Sequence, residues 1–319
     1  MQRTLHAHHR FSGPMTALIT PFRGGGVDYA AFDHLVEWQI DQGMSGLVLN
    51  TLIAEGPTLK TEERRSLISR CVHLTRGRIP VIAATGTNST ATTIERSVEA
   101  EKLGADAILV VQPYYSRPSQ NGIIHHFQEV TRSVQLPVFI HNDPRHAAVE
   151  IAMCTMARLL QIQGVIGLVD DTCISGRNAQ FGDFVYLSGD DLAVEDMLAV
   201  SNGSMSAVAN LCPATVSLMH RAIRMGDLYQ AHQAHQQLHV LAGALSLESP
   251  PASVKHALSC LRGIDDSVRL PMTNISDATA DAIMRALKPL RSAPVKVPQS
   301  HLILEARTAR TSKAHGASF

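Results

Sequence analysis

Short apolar runs rich in β-branched residues alternate with longer segments of helical period along most of this chain, and this alternation constrains the fold more than any other feature. The eight candidate strands are Thr16–Thr20, Gly46–Asn50, Val81–Ala84, Ala107–Val111, Val138–His141, Val165–Val169, Phe184–Ser188 and Ser204–Ala207. Helical patterns between them include Tyr29–Gln42, Thr61–Thr75, Thr90–Leu103 and Gly122–Val134. Strands that are each followed by a helix predict an α/β fold, a (β/α)8 TIM barrel. A doubly wound sheet is the competing architecture, but no glycine-rich dinucleotide fingerprint follows the first strand.

The barrel pattern covers residues 13–228 and leaves three other segments. Residues 1–12 form a leader without the apolar stretch of a secretory signal. Residues 229–291 show helical patterns and no strand, which predicts a C-terminal helical domain. Residues 292–319 are basic, small and polar, which predicts a flexible tail.

Composition excludes several classes of partner. The 28 basic and 28 acidic residues cancel, so no overall field favours nucleic acid or an anionic membrane surface. No apolar run reaches the roughly 18 residues that a membrane span needs. The five cysteines are odd in number and lack CxxC spacing, which favours free thiols in a reducing compartment over disulfides or a zinc site. We therefore predict a cytoplasmic protein with a small-molecule ligand and neither nucleic-acid nor membrane partners.

Ionisable side chains collect at or just past the predicted ends of the fifth and sixth strands. They are His141, Asp143, His146, Asp170, Asp171 and Cys173. Barrel enzymes place their chemistry at this face. With an ordinary pKa near 6.5, His141 can act as a general acid or base, or it can simply fill space and hydrogen bond, and both interpretations stay open.

Two further interpretations concern the same group of residues. A divalent metal held by His141, Asp171 and His146 matches no compact metal motif, so neither a metal nor a cofactor is predicted. Asp170 should lie on the opposite side of its strand from Val169, and we interpret it as a structural carboxylate.

Four segments occur in order and at nearly constant spacing: Ala17–Phe22, Pro113–Gln120, Leu187–Asp191 and Arg269–Met272. Through them the chain resembles the dihydrodipicolinate synthase and N-acetylneuraminate lyase family of class I aldolases. The resemblance implies a barrel with a C-terminal helical domain, assembled as a homo-oligomer, a dimer or a tetramer. It also implies a lysine that forms a Schiff base with a 2-keto acid, a tyrosine that relays protons and a Gly-Thr-Thr-Gly-Glu loop that binds the carboxylate.

Compared with that pattern, this chain departs at the pocket. Val169 stands at the lysine position and His141 at the tyrosine position, and a valine cannot form an imine. The loop reads Thr51-Leu52-Ile53-Ala54-Glu55, so two apolar side chains replace two hydroxyl donors. His146 replaces an arginine used for a second substrate. Tyr115, which in relatives reaches across the tight-dimer interface, Gly189 and Gly203 are retained.

No other amine is expected to replace the lysine. The remaining lysines are Lys60, Lys102, Lys255, Lys288, Lys296 and Lys313. Each is predicted to be solvated, because lysine is rarely buried. His125 and His126 are likewise predicted to be a solvated pair on a helix, and Ala91, Ile94 and Val98 to lie on one side of the third helix.

Three hypotheses follow. The first is a repurposed family member that binds a small, less polar carbonyl or carboxylate compound and performs lysine-independent lyase chemistry. The second is a non-catalytic binding, regulatory or structural paralogue, and the third is aldolase activity through an unforeseen amine. The candidate catalytic residues are His141, Tyr115 and Asp171, and the candidate ligand contacts are Thr51, Leu52, Ile53, Asn142, His146, Val169, Gly189 and Met205.

Overall fold

A closed barrel of eight parallel strands forms the centre of the molecule, which confirms the predicted architecture. The computed structural model describes residues 10–172, 184–189, 194, 197 and 201–292, without the side chains of residues 291 and 292. The barrel strands are β1 Gly13–Ala17, β4 Gly46–Leu49, β5 Val81–Ala84, β6 Ala107–Val111, β7 Val138–Asn142, β8 Val165–Asp170, β9 Val185–Ser188 and β10 Gly203–Ser206. Their order around the barrel is β1-β10-β9-β8-β7-β6-β5-β4. Two short strands, β2 Phe22–Arg23 and β3 Gly26–Val27, form an antiparallel ribbon after β1.

Helices cover the outside of the barrel and continue past it. They are α1 Tyr29–Asp41, α2 Thr61–Thr75, α3 Thr90–Lys102, α4 Gln120–Ser133, α5 Pro144–Ala147, α6 Met153–Leu159, α7 Pro213–Met225, α8 Leu228–Leu245, α9 Pro250–Arg262 and α10 Asp277–Ser292. Asp28, Ser89 and Ser119 cap α1, α3 and α4 by accepting backbone N–H groups. None of the helices in the described part of the chain is long and apolar enough to cross a membrane.

Inward side chains fill the barrel, so the lumen is a packed core. Phe11 lies beside the N-terminal ends of the strands, where its ring packs edge-on against Phe139 with 5.4 Å between ring centroids. Gly203 opens β10 because a Cβ atom there would lie 2.1 Å from the carbonyl oxygen of Gly13 on the paired strand.

The predicted bounds of the first strand were wrong. The strand begins at Gly13 and ends at Ala17, since the backbone N–H of Ile19 donates to the Asn210 side chain at 3.0 Å instead of joining a strand. On α3, Ile94 and Val98 pack against the core, but the most buried positions include two polar residues. Thr93 and Ser97 are buried and hydrogen bond with Thr87 and Thr85 at the end of β5, whereas Ala91 is exposed.

His126 and Lys255 are buried, although both were predicted to be solvated. Only 3% of His126 is exposed, and its Nδ1 lies 3.0 Å from the hydroxyl of Thr90. Lys255 is 0% exposed because it pairs with a carboxylate that lies 200 positions away in sequence. His125 is exposed as predicted.

Candidate functional site

A cavity of about 160 Å³ lies at the C-terminal end of the barrel, where the strands meet the C-terminal helices. We call it the mouth cavity. Among the residues that line it are Thr51, Leu52, Ile53, His141, Asp143, Arg145, His146, Asp171, Gly189 and Met205. Most of the predicted ligand contacts therefore come together in one place, at the face where barrel enzymes bind their ligands.

His141 and Asp171 form a hydrogen-bonded pair in this cavity. His141 ends β7, and its Nε2 lies 2.9 Å from Oδ2 of Asp171, which follows β8. Burial opposes protonation of the imidazole, but the charge and hydrogen bond of Asp171, with the charges of Asp143 and Asp170, raise the pKa of His141. The histidine is thus held in one orientation and favoured in its protonated form.

A second pair lies beside the first. Asp143 caps the short helix α5, accepting the backbone N–H of His146 at 3.2 Å and meeting its Nδ1 at 2.7 Å. Burial disfavours the charged carboxylate, but this hydrogen bond and the charges of His141 and His146 lower the pKa of Asp143. The hydrogen bond from Asp143 in turn raises the pKa of His146.

Asp170 has the structural role that the strand alternation predicted. It is 5% exposed, and its Oδ1 accepts hydrogen bonds from Asn142 at 3.0 Å and from the Thr172 hydroxyl at 2.6 Å. The contact with Asn142 ties the ends of β7 and β8 together, and the contact with Thr172 fixes the turn that follows β8. Asp170 therefore positions the strand ends that carry His141 and Asp171.

The loop Thr51–Glu55 forms one wall of the mouth cavity. Leu52 and Ile53 line the cavity with apolar surface, and Leu52 is 38% exposed. The Thr51 hydroxyl is enclosed and has no hydrogen-bond partner in the described part of the chain. Gly56 permits this loop path, because a Cβ atom there would lie 2.1 Å from the carbonyl oxygen of Asn50.

The other end of that loop contacts a group of four charged residues and one aromatic ring, which we call the anchoring cluster. Its members are Phe22, Glu55, Glu63, Lys255 and Arg269. Glu55 and Lys255, both fully buried, form an ion pair, and Lys255 Nζ also donates to the Ser267 carbonyl at 2.9 Å. The Arg269 backbone N–H donates to Glu55 at 2.8 Å, while its guanidinium contacts both Glu63 oxygens at 2.6 Å. Glu55 is therefore a structural residue that fixes the loop.

Three predicted site residues lie outside the lining of the mouth cavity. Val169 is 1% exposed and packs inside the barrel, paired in register with His141. Asn142 is buried beneath the strand ends. Tyr115 is 88% exposed, with a backbone φ of 67°. Asp190, Asp191 and Cys173 lie outside the described residues.

The site also offers ligands of the kind that bind transition metals. One ligand atom each from His141, Asp143 and Asp171 lie within 4.8 Å of one another. In the structure these atoms belong to groups that hydrogen bond with each other or with His146. That no metal binds here stays a prediction.

A second cavity adjoins the first, and sequence analysis did not predict it. This side chamber has a volume of about 200 Å³ and shares Thr51, His141 and Asp143 with the mouth cavity. It extends to Asn50 at the end of β4 and Arg96 on α3. Arg96 was missed because nothing in the helical pattern of α3 distinguishes it from a solvated arginine. The signal that was available is the position of Asn50, directly after a buried strand.

A closed parallel barrel surrounded by helices, with ionisable side chains around its C-terminal opening, defines a (β/α)8 barrel protein with a candidate site at that face. The model of the dihydrodipicolinate synthetase family matches residues 10–290, and the chain belongs to this family.

Named relatives cover nearly the whole chain. A 4-hydroxy-tetrahydrodipicolinate synthase from Bradyrhizobium diazoefficiens is 38% identical over 287 residues, which cover 88% of this chain and 97% of the relative. Its counterpart from Rhodospirillum centenum is 40% identical over 283 residues, covering 87% and 97%.

Solved structures of dihydrodipicolinate synthases are similar to this chain in fold. Dihydrodipicolinate synthase from Thermotoga maritima superposes with a TM-score of 0.85 at 32% identity, covering 88% of this chain and 99% of that chain. The chloride-inhibited enzyme from Acinetobacter baumannii, complexed with pyruvate, gives a TM-score of 0.83 at 35% identity, covering 87% and 98%.

Proposed function

We propose that this member of the family binds a small carbonyl or carboxylate compound at the mouth cavity and has lost Schiff-base aldolase chemistry. The observation that carries the proposal is Val169, which stands at the position that the family resemblance assigns to the lysine and is buried inside the barrel. No lysine in the described part of the chain lines the mouth cavity. Lys255 is buried, but it is held by Glu55 and Ser267.

The His141–Asp171 pair supplies an acid–base group that does not depend on an amine. Asp171 holds Nε2, so Nδ1 is the ring atom that exchanges a proton with a ligand. Removing a proton next to a carbonyl, or protonating a leaving oxygen, is a lyase step within reach of such a pair. Leu52 and Ile53 favour a ligand that is less polar than pyruvate, since neither can donate to a carboxylate.

Borohydride trapping tests the loss of imine chemistry. The protein is incubated with pyruvate and reduced, and the intact mass is measured beside an aldolase of known Schiff-base mechanism. We expect no adduct on the wild-type chain and an adduct on Val169→Lys. A wild-type adduct would contradict the proposal, and peptide mapping with Lys255→Met in parallel would show whether Lys255 is the amine.

A non-catalytic paralogue is the second candidate, favoured by the apolar Leu52 and Ile53 at the mouth cavity. It would bind a ligand without turnover, as a homo-oligomer of the dimeric or tetrameric kind that the family resemblance implies. The exposed Tyr115 supports such an interface, and the thiols of Cys71, Cys154, Cys212 and Cys260, which form no disulfide with one another, support a cytoplasmic location. Sedimentation velocity should show an oligomer that Tyr115→Asp weakens. NMR of 2-keto acids incubated with the protein distinguishes turnover from binding alone.

A further inference from the structure

The side chamber contains polar atoms that nothing in the described chain satisfies. They are Nδ2 and Oδ1 of Asn50, Oγ1 of Thr51 and Nε of Arg96, all enclosed and without a hydrogen-bond partner in the described residues. Asn50 is 8% exposed and Thr51 is 7% exposed, and both line the chamber together with Arg96. Buried polar groups in folded proteins are paired in the great majority of cases, because an unpaired one costs free energy. A concentration of such groups along one cavity points to a ligand.

The charge of the chamber identifies the kind of ligand. Within the described ranges, Arg96 makes no ion pair with any carboxylate. The carboxylate that lines the chamber, Asp143, is paired with His146. Arg96 is half-buried with its Nε enclosed. A guanidinium without a counter-charge favours an anion, and its planar donors suit a carboxylate.

The walls identify the rest of the ligand. Ala84, Leu109 and Val111 give the chamber an apolar lining that suits a short carbon chain. The chamber meets the mouth cavity at Thr51 and His141, which line both. A ligand that fills the side chamber and reaches this junction therefore has one end at His141 and the other near Arg96.

We propose that the side chamber binds the distal carboxylate of an elongated oxo acid, with Arg96, Asn50 and Thr51 as its donors and the carbonyl end at His141. The inference rests on the proposed function for the carbonyl end only. Arg96 and Asn50 act as specificity-determining residues, since they select a dicarboxylate over a monocarboxylate of the same length. A hydroxyl, which the loop lacks at Leu52 and Ile53, is present one position earlier at Thr51, a residue that lines the chamber.

Calorimetric titration with matched ligands tests the proposal. The probes are 2-oxoglutarate and 2-oxovalerate, which have the same chain length but differ in the distal carboxylate, together with glutarate, which lacks the carbonyl. We expect 2-oxoglutarate to bind at least about tenfold more tightly than 2-oxovalerate, because a hydrogen bond to a charged group contributes that much or more. Arg96→Met should abolish this preference, whereas Arg132→Met, on the exposed face of α4, should retain it.

Asn50→Gly provides a second variant that tolerates the left-handed backbone (φ 60°) at this position and removes the amide. It should weaken 2-oxoglutarate binding several-fold and leave 2-oxovalerate binding unchanged. Equal affinity of the wild type for the two oxo acids, or an unchanged preference in Arg96→Met, overturns the proposal, as does binding of a phosphate monoester in place of the dicarboxylate. An Arg96-dependent preference with a borohydride-trapped adduct sustains the chamber and refutes the proposed function instead.

Discussion

The two ends of the loop Thr51–Glu55 lie only a few residues apart, but their buried polar atoms differ in whether they have hydrogen-bond partners. At Glu55, which is fully buried, both carboxylate oxygens have partners, Lys255 and the backbone of Arg269. At Thr51, a residue that lines a cavity, the hydroxyl is equally enclosed but unpaired. Along this loop the difference separates scaffold from site: Glu55 holds the fold through satisfied partners, whereas the Thr51 hydroxyl is left without one.

Removing one charge from the anchoring cluster should lower the stability of the fold, and this is the largest effect that we expect from any single substitution. Lys255→Met leaves the Glu55 charge buried without its partner, so we expect a loss of about 3–5 kcal/mol in the free energy of unfolding. Urea unfolding followed by circular dichroism measures it. Lys102→Met, at an exposed position on α3, should stay within about 0.5 kcal/mol of wild type. Similar losses in both variants would contradict the structural role of the cluster.

Two buried histidines, His126 and His220, should make the stability of the fold depend on pH. Burial lowers the pKa of His126 and of His220 to about 4, and the charge of Arg224 contributes at His220. The unfolded chain then binds more protons than the folded one below pH 6.5, so stability falls as the pH drops from about 6.5 towards 4. At pH 5 each histidine should cost about 2 kcal/mol. His141, whose pKa is raised, contributes with the opposite sign and loses its contribution as the pH rises.

Urea midpoints measured at pH 5, 6 and 7 check this prediction. His126→Gln and His220→Gln should each flatten the decline on the acid side, while His73→Gln, on an exposed face, should leave it unchanged. A wild-type midpoint that is constant between pH 7 and pH 5 would show that neither ring is held neutral by burial.

Polar substitutions in the apolar wall of the mouth cavity should change the affinity for a ligand. Leu52→Thr with Ile53→Thr introduces the hydroxyl donors that the family resemblance leads one to expect. Hydrogen bonds to a carboxylate contribute about 1.5–3 kcal/mol each, so pyruvate should bind at least about tenfold more tightly. Calorimetry measures the affinity, and Leu52→Ala with Ile53→Ala controls for added space. Equal gains in both double variants would mean that volume, not hydrogen bonding, limits binding.

The sequence predicted the elements best where both faces of a strand are buried. Val81–Ala84 and Ala107–Val111 have the predicted bounds, because an uninterrupted apolar run marks a strand covered on both sides. His141 and Asp171 were expected together for a related reason, since neighbouring parallel strands end at the same face.

Long-range pairing and polar helix packing were not accessible from the sequence. Nothing near Lys255 indicates that its partner is Glu55, so an ordinary solvated lysine was the reasonable expectation. The apolar pattern of α3 identified Ile94 and Val98, which pack on the core, but not Thr93 and Ser97, which are buried and hydrogen bonded at the end of β5. It also gave no sign that Arg96 lines a cavity.

The smallest change in stability is expected when the Thr51 hydroxyl is removed. Thr51→Val keeps the β-branched shape and removes only the hydroxyl, which has no partner in the described chain. Without a ligand, the variant should be as stable as wild type or more stable by up to about 1 kcal/mol, because no hydrogen bond is lost and a buried polar group is removed. Thermal unfolding measures this, and Thr16→Val, whose hydroxyl donates to Gln39 at 2.6 Å, is the matched control and should be destabilised. If Thr51→Val loses as much stability as Thr16→Val, the Thr51 hydroxyl belongs to the scaffold and the distinction drawn along this loop fails.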